Sequence, residues 1–409
     1  MAKTDPFHYL LTASPLHDAR AVTEFHRGLE EALRLAGGAA GTVETGVADP
    51  PVVHVVLTGG SERLVLERLA QRPREPVVLV AHPTHNSLPA CLEILARVRG
   101  DGGTGRIVLL GGGTDDAGRL REAVHLARVA AGLRRARIGA IGPPSDWLVA
   151  SAHEAAVVRA TWGPELVAVP MQELIGRLAG LAPDPVLTQG LVRQARTSAV
   201  AEAEIQRAST LRGALAALVA EHRLDAVTVR CFDLVTGLRT SGCLALSQLS
   251  DDGVPAGCEG DVPSALALLW LHRLLGGAAW MANPARLAPE RGEIVLAHCT
   301  VPRSLVRSYD VQTHFESGLG VALGGELPPG PVTLVRLGGP RLEKIWLSEG
   351  ALVDSPHQAA LCRTQAIVRT DPAALAELLR APLGNHVVLV PGHHAELLRS
   401  SRELILGDG

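Results

Sequence analysis

Lysine is nearly absent from this chain of 409 residues, and aromatic residues are scarce. Lysine occurs only at Lys3 and Lys344, and Phe, Trp and Tyr together make up 3% of the sequence. The formal net charge is −3, so the chain has neither a strongly basic surface for nucleic acid nor a polybasic patch for a membrane. A small ligand is therefore the favoured partner.

Cysteine motifs, nucleotide-binding motifs, signal patterns and long apolar runs are also missing. The six cysteines form no Cys-x-x-Cys pair and no zinc-ribbon spacing, which predicts reduced and mostly buried thiols. The Gly-rich loops match neither the dinucleotide fingerprint nor the phosphate loop. The first residues lack a signal pattern and no apolar run is long enough to cross a membrane, so we expect a cytoplasmic protein.

The length predicts two or three domains, and the apolar fraction of 47% is ample for their cores. Apolar bursts alternate with helix-like segments over the first two thirds, which is typical of parallel sheets wrapped by crossover helices. From Ile294 onward, short β candidates are separated by Gly/Pro turns. We therefore predict an α/β protein with two doubly wound parallel-sheet domains, at 1–135 and 136–290, and a β-rich C-terminal domain at 291–409.

Within these regions the spacing of apolar residues predicts individual helices and strands. The predicted helices include Ala19 to Leu35, Trp147 to Ala156 and the long stretch Val192 to Glu221. The predicted strands include Ala226 to Cys231 and Ala278 to Met281.

Two carboxylates, Glu259 and Asp261, lie in a Gly-rich turn between apolar runs. Charges placed in such a turn are costly without a cation or a proton, so the turn indicates a site. Asp261 has a structural explanation, because it precedes a helix with Pro263 in the first turn, as helix N-caps do. Glu259 has no such explanation.

Other polar side chains allow two interpretations each. The loop before a predicted helix carries His82, His85 and Asn86, which either contact a substrate or are simply exposed, and Ser87, which is interpreted as the N-cap of that helix. Asp233 follows a buried strand, where it is either catalytic or paired with Arg230. His298 lies near the end of the predicted strand Val295 to Thr300, and it is interpreted as a core histidine whose hydrogen bonds are satisfied.

Eight short strings, in this order and spacing, resemble the superfamily of L-fucose isomerase and L-arabinose isomerase, and most closely its shorter fucose isomerase-like members. The strings run through nearly the whole chain: Thr58-Gly-Gly-Ser-Glu62, Asn86-Ser-Leu-Pro-Ala90, Gly142-Pro-Pro-Ser-Asp-Trp147, Arg230-Cys-Phe-Asp233, Cys258-Glu-Gly-Asp261, His314-Phe-Glu-Ser-Gly318, Cys362-Arg-Thr-Gln365 and Gly384-Asn-His386.

The resemblance implies a metal-dependent aldose–ketose isomerase that acts on a sugar or deoxy-sugar. Its divalent cation, usually Mn²⁺ with Mg²⁺ or Co²⁺ as alternatives, would be held at positions matching Glu259, Asn283 and His386. Catalysis would fall on Glu259 and Asn283, with Asp261 or Asp233 in support. The substrate-binding positions it implies are Asn86, Ser87, His85, His314, Glu316 and Asn385. It further implies a homo-oligomer, a hexamer or trimer, with each site at a subunit interface.

The family has an aspartate where this chain has Asn283, so the chain departs from the pattern at a metal ligand. Asparagine keeps an oxygen donor but lacks the negative charge and cannot act as a base. Three functions therefore stay open: the isomerase, a diverged enzyme that forms an enediolate, such as a lyase or epimerase, and a catalytically silent sugar-binding protein.

Overall fold

The computed structural model describes residues 6–41, 51–72, 75–111 and 113–407. The N-terminal residues Met1 to Asp5, on which the expected absence of a signal pattern partly depends, lie outside this range. The chain divides into two units, Met1–Arg134 with Glu396–Gly409, and Arg135–Ala395. The division into three domains at 1–135, 136–290 and 291–409 stays a prediction.

The first unit contains a five-stranded, entirely parallel sheet in the order β2-β1-β3-β4-β5. All residues of its interior strand Val77–Ala81 are buried, as expected for a parallel sheet covered by helices. The helix predicted over Ala19–Leu35 has those same bounds, and Asp18 caps it by accepting from the Ala21 backbone N–H at 2.8 Å. The elements are β1 (Phe7–Thr12), α1 (Ala19–Leu35), β2 (Gly38–Ala40), β3 (Val52–Val56), α2 (Glu62–Leu69), β4 (Val77–Ala81), α3 (Ser87–Gly100), β5 (Gly105–Leu109) and α4 (Asp116–Arg135).

The second unit joins a parallel sheet to an antiparallel barrel. Its elements are β6 (Arg137–Ile141), α5 (Ala155–Thr161), β7 (Glu165–Val169), α6 (Met171–Leu178), α7 (Pro185–Gln194), α8 (Glu202–His222), β8 (Ala226–Val229), α9 (Phe232–Leu238), α10 (Cys243–Asp251), β9 (Ala256–Cys258), α11 (Val262–Leu275), β10 (Trp280–Ala288), β11 (Glu293–His298), β12 (Ser308–Gln312), β13 (Ala322–Glu326), β14 (Gly330–Gly338), β15 (Lys344–Asp354), β16 (Thr364–Thr370), α12 (Pro372–Arg380) and β17 (Val387–Pro391). The last helix, α13 (Ala395–Leu406), belongs mostly to the first unit.

Six strands close the barrel in the order β10-β11-β16-β15-β14-β17, while the parallel sheet has the order β7-β6-β8-β9. Buried apolar residues such as Trp280, Leu296, Leu334 and Leu389 belong to one hydrophobic cluster of this unit. Parallel-sheet α/β regions followed by a β-rich region confirm the predicted fold class. Among the described residues, no helix is long and apolar enough to cross a membrane.

The helix predicted over Trp147 to Ala156 is wrong, because the segment folds as successive turns and the helix begins at Ala155. Leu148 donates its backbone N–H to Ser145, and Ser151 donates to Leu148. The Ser151 hydroxyl also accepts from the buried guanidinium of Arg336 at 2.6 Å. These tertiary contacts outweigh the local helix propensity.

The single long helix predicted over Val192 to Glu221 is also wrong, because α7 ends at Gln194 and α8 begins at Glu202. The residues between them pair with β12: Arg196 donates its backbone N–H to Tyr309 at 2.8 Å, and Ala199 donates to Val311 at 2.9 Å. Strand-like pairing with a distant segment breaks a stretch whose own residues favour helix.

Candidate metal centre

The turn that carries Glu259 follows the carboxyl end of β9 and adopts a constrained backbone conformation. Glu259 has a φ of 63° and Gly260 has a φ of 75°. A non-glycine residue with positive φ costs free energy, and such residues are concentrated at functional sites. The Ser145 backbone N–H donates to the Glu259 carbonyl at 2.9 Å, which ties the turn to the Pro143–Pro144 loop.

Gly260 has no room for a side chain, so we expect Gly260→Ala to distort the Glu259 turn. A Cβ there would meet Pro144 Cα at 2.7 Å and the Pro143 carbonyl at 2.9 Å. Gly276 is the matched control, because its φ of 73° is nearly the same and nothing lies within 4 Å of its Cβ position. We expect Gly276→Ala to cost about 1–2 kcal/mol of unfolding free energy for the left-handed backbone alone, and Gly260→Ala to cost about 1–3 kcal/mol more from overpacking. Urea unfolding measures both, and equal losses would contradict the close packing of this turn.

Three buried side chains, Glu259, His298 and His386, bring one ligand atom each to within 4.8 Å of one another. His386 Nε2 lies 3.5 Å and His298 Nε2 lies 3.9 Å from Glu259 Oε1. His386 comes directly before β17, His298 ends β11, and Glu259 follows β9. The second unit therefore brings residues 127 positions apart in the sequence to one point.

Each imidazole of this cluster is oriented through its Nδ1 atom. His386 Nδ1 donates to Asp261 Oδ2 at 2.8 Å, and His298 Nδ1 contacts Thr300 Oγ1 at 2.8 Å. His386 Nε2 is buried and forms no hydrogen bond with any described residue, and it faces Glu259 Oε1 at 3.5 Å. Histidines that ligate metals are held in this way, with one nitrogen bonded to a carboxylate or hydroxyl and the other free for the metal. The residues present therefore fit a divalent cation held by one carboxylate and two imidazoles.

The charges around the cluster favour a cation at its centre. Burial lowers the pKa of His298 to about 4, so this imidazole is neutral. Burial also acts to lower the pKa of His386, but its interactions with Asp261 and Glu259 outweigh burial and raise it to about 9. Burial acts to raise the pKa of Glu259, and its interaction with His386 outweighs this and holds it below the ordinary value. The pocket between the two carboxylates thus stabilises positive charge.

Asp261 is the helix cap that the sequence predicts, and it has two further partners. Its Oδ1 accepts from the Ser264 backbone N–H at 2.8 Å at the start of α11. Its Oδ2 accepts from Arg336 Nη1 at 3.0 Å as well as from His386. Burial acts to raise the pKa of Asp261, but Arg336 and His386 hold it far below the ordinary range. Both carboxylate oxygens are occupied, which suits a residue that orients His386.

Asn283 lies inside β10, one strand away from both histidines, and the turn that an Asn-Pro pair favours is not formed there. The pairing of β10 with β17 sets Met281 opposite Val388 and Ala282 opposite Val387. Continuing this register by one residue brings Asn283 opposite His386. On the other side Asn283 pairs with Ala297, the neighbour of His298. The backbone of Asn283 therefore lies next to the two segments that carry the histidines, and its role as a metal ligand stays a prediction.

Among the other predicted residues of the second unit, Asp233 has an identified partner, whereas the three predicted substrate positions do not have an established role. Asp233 accepts from Arg230 Nε at 3.0 Å, so the pairing interpretation holds for it. His314 is buried and contacts the Phe232 ring edge-on at a centroid distance of 5.6 Å. Glu316 and Asn385 are exposed. Their predicted contacts with a substrate stay predictions.

Trp147 was not predicted as a site residue, yet it contacts Glu259 directly. Its indole Nε1 donates to Glu259 Oε2 at 2.6 Å, and its ring packs edge-on against Phe232 at 4.7 Å. Half of Trp147 is exposed, whereas Glu259 is 9% exposed. An aromatic wall of Trp147, Phe232 and His314 therefore extends from the Glu259 carboxylate.

In the first unit, the predicted loop has a different local structure from the one expected. Asn86, with a φ of 56°, occupies the N-cap position and Ser87 is the first residue of α3, so the interpretation of Ser87 as the N-cap is wrong. The buried Ser87 hydroxyl instead donates to the Val56 carbonyl and accepts from the His82 backbone N–H at 3.0 Å. His85 stacks on Phe25 at 3.9 Å. The substrate role of His85, Asn86 and Ser87 stays a prediction.

His298 is the member of the candidate centre that the sequence did not point to. The strand before it is apolar, and a histidine at the end of such a strand is most often a buried structural residue. The available signal was the polar run His298-Cys299-Thr300 at a strand end, where Thr300 fixes the imidazole. The meeting with Glu259, 39 positions earlier, depends on tertiary packing that no local pattern reveals.

A second group of potential ligands, Glu173, Glu221 and His222, is less suited to a metal. Glu221 is exposed and the other two are half-buried. Arg177 already bonds both carboxylates, and His222 Nε2 contacts Glu173 at 2.8 Å. The carboxylate charges are therefore balanced by protein groups.

The fold and this cluster together describe an α/β protein with a buried Glu/His₂ centre. Three curated proteins similar to the chain bear the name sulfoquinovose isomerase. The protein from Alkalicoccus urumqiensis is 26% identical over 278 residues, covering 65% of this chain and 62% of the relative. Those from Priestia aryabhattai and Priestia megaterium (strain ATCC 12872 / QMB1551) are 24% identical over 294 residues, covering 68% of this chain and 65% of each relative. The chain thus spans less than two thirds of the length of these relatives, and no protein-family model matches it.

Proposed function

We propose that this protein is a metal-dependent aldose–ketose isomerase. The observation that carries the proposal is the buried cluster of Glu259, His298 and His386, in which His386 Nε2 has no hydrogen-bond partner among the described residues. The names of the relatives, with 24–26% identity, support a sugar isomerase. The two kinds of support are independent, because one is local chemistry and the other is overall sequence similarity.

Glu259, His298 and His386 would hold the cation, with the amide oxygen of Asn283 as a further donor. This set differs from the one that the fucose isomerase resemblance implies, because His298 joins it and Asn283 brings no charge. When bound, a divalent cation polarises the sugar carbonyl and the neighbouring hydroxyl. Mn²⁺ accepts a mixed set of carboxylate and imidazole ligands, so it is the first metal to test.

Isomerisation moves one proton between carbons and one between oxygens. Glu259 is the ionised carboxylate of the site, and it takes the proton from C2 and returns it to C1 of the resulting enediolate. The proton of the C2 hydroxyl is transferred to O1, so the aldose becomes a ketose with no net change of atoms. Trp147 donates to Glu259 Oε2 and fixes the carboxylate plane, while Asp261 fixes the imidazole of His386.

Sulfoquinovose is the first aldose to assay, because the relatives carry that name. This sugar is glucose with a sulfonate in place of the C6 hydroxyl, and its aldehyde end is chemically an ordinary aldose. Isomerisation at C1 and C2 of this sugar therefore needs only the cation and the base that are proposed above.

Metal removal tests the proposal directly. We expect the purified protein to contain about one divalent metal per chain and to convert sulfoquinovose to its ketose. Dialysis against a chelator should abolish conversion, because Glu259 and two imidazoles alone do not polarise the carbonyl, and Mn²⁺ should restore it. Metal analysis and NMR of the sugar after incubation measure the two effects.

Two results would count against the isomerase. A protein that binds metal but leaves the aldose unchanged, while altering another sugar acid or ketose, would indicate a diverged enediolate chemistry. A protein that binds the sugar without metal and without turnover would indicate a silent binding protein.

A further inference from the structure

Arg363 is an anchored cation without a carboxylate partner among the described residues. Its Nε donates to the Thr313 carbonyl at 2.8 Å, and its Nη2 donates to Thr313 Oγ1 at 3.3 Å. The guanidinium also lies over the Phe315 ring, 5.7 Å from its centroid. Neutral groups fix its position but leave its charge uncompensated, and Nη1 has no partner in the described chain. A half-buried guanidinium of this kind is suited to an anionic ligand.

The strand register brings Arg363 close to the candidate metal centre. β11 pairs with β16 so that His298 lies opposite Thr364. One position further along this pairing, Cys299 follows His298 and Arg363 precedes Thr364. Thr313, which holds the guanidinium, directly precedes His314.

The aromatic wall defined above connects Glu259 to the segment that holds Arg363. Trp147 contacts Glu259 at one end, and His314 adjoins Thr313 at the other. Apolar ring faces and edges suit the carbon skeleton of a sugar, and the charged groups lie at the two ends of the wall. A ligand along this wall would have its reacting end beside Glu259 and its other end beside Arg363.

On the basis of the isomerase function proposed above, we propose that Arg363 binds an anionic group at the end of the aldose remote from the carbonyl. The group is a tetrahedral oxyanion at C6, either a sulfonate or a phosphate, because both accept the parallel N–H groups of a guanidinium. Glu316, the neighbouring carboxylate, is exposed to solvent and does not bond Arg363, so water screens its charge. Arg363 thereby selects anionic over neutral aldoses.

Equilibrium binding and turnover of three sugars test the assignment. The probes are sulfoquinovose, glucose 6-phosphate and glucose, with calorimetry for binding and NMR for conversion. We expect Arg363→Met to weaken the preferred anionic sugar at least tenfold, both in Kd and in KM, because a charged hydrogen bond is lost. Binding of glucose should change less than twofold, and Arg363→Lys should keep part of the preference. The wild-type preference between the two anionic sugars identifies sulfonate or phosphate as the ligand.

The control is Arg369→Met, which removes an exposed arginine from the far end of β16. It should leave all three affinities unchanged. If Arg363→Met weakens glucose as much as the anionic sugars, or weakens none of them, the assignment is overturned. Arg363-dependent binding of an anionic sugar without turnover would support the anion site and count against the isomerase. Turnover of an anionic aldose that is independent of Arg363 would do the reverse, and no binding or turnover of any sugar would overturn both.

Discussion

Replacing Glu259 by glutamine is expected to reduce kcat/KM for aldose isomerisation by at least about 10³-fold and to lower the metal content of the purified protein. Glutamine has nearly the shape of glutamate and can still accept from the Trp147 indole, so the turn should keep its conformation. The variant removes the negative charge that faces both imidazoles at 3.5 and 3.9 Å. It also removes the only ionised carboxylate of the three-residue cluster, and with it the proton acceptor.

Glu290→Gln is the matched control, because Glu290 is an exposed glutamate in the loop between β10 and β11. It should retain full metal content and full turnover. Full metal content together with full turnover in Glu259→Gln would remove the basis for the proposed site. Loss of turnover with full metal content would keep Glu259 as the base and exclude it as a ligand.

Two further variants of the same experiment decide between the ligand set implied by the family resemblance and the candidate set of Glu259, His298 and His386. If His298 is a ligand, His298→Gln should weaken Mn²⁺ binding more than Asn283→Ala does, because it removes an imidazole nitrogen that faces Glu259. If the family pattern holds unchanged, the order of the two effects should be reversed. Asn283→Asp adds the charge that the chain lacks, and it should tighten the metal in either case.

The sequence was sufficient for most local structure and for two of the three residues of the cluster. Helix α1 and the cap at Asp261 follow from spacing and from a capping residue ahead of a proline, and both signals are local. Glu259 could be identified because a carboxylate in a Gly-rich turn between apolar runs has no structural reason to be there. His386 could be identified as a ligand only from the family resemblance, because a single histidine before an apolar strand carries little information.

The errors arise where distant segments pair. Residues 195–201 do not continue the helix, because β12 offers them backbone partners. His298 reaches Glu259 only because β11 closes the barrel beside β10. These contacts are properties of the tertiary structure, and hydrophobic periodicity within a short window contains no trace of them.

Asp261→Asn is expected to destabilise the protein by about 3–5 kcal/mol, because it breaks a fully buried ion pair. Arg336 is 1% exposed and Asp261 is fully buried, and Nη1 lies 3.0 Å from Oδ2. The guanidinium has neutral partners in Ser264, Ser151 and the Leu383 carbonyl, but only Asp261 compensates its charge among the described residues. Asparagine can still cap α11, so the variant removes the negative charge while the helix cap is kept.

Asp371→Asn is the matched control for the cap, because Asp371 also precedes a proline and also accepts from a helix N–H, at 2.9 Å from Ala373, yet it is exposed and has no arginine partner. Its replacement should change the unfolding free energy by less than about 0.5 kcal/mol. Urea unfolding of both variants measures the difference. Equal and small losses would show that Arg336 finds enough compensation without Asp261.

The double variant Asp261→Asn/Arg336→Met distinguishes two causes of the expected loss of stability, the uncompensated charge of Arg336 and the lost hydrogen bond to His386. If the cost of Asp261→Asn comes from leaving Arg336 uncompensated, removing the guanidinium as well should make the protein more stable than Asp261→Asn alone. If the cost comes instead from the hydrogen bond to His386, the second substitution should add its own loss and metal binding should fall in both variants. Asp261 thus links the two properties, since the carboxylate that compensates the buried guanidinium is also the one that orients a candidate metal ligand.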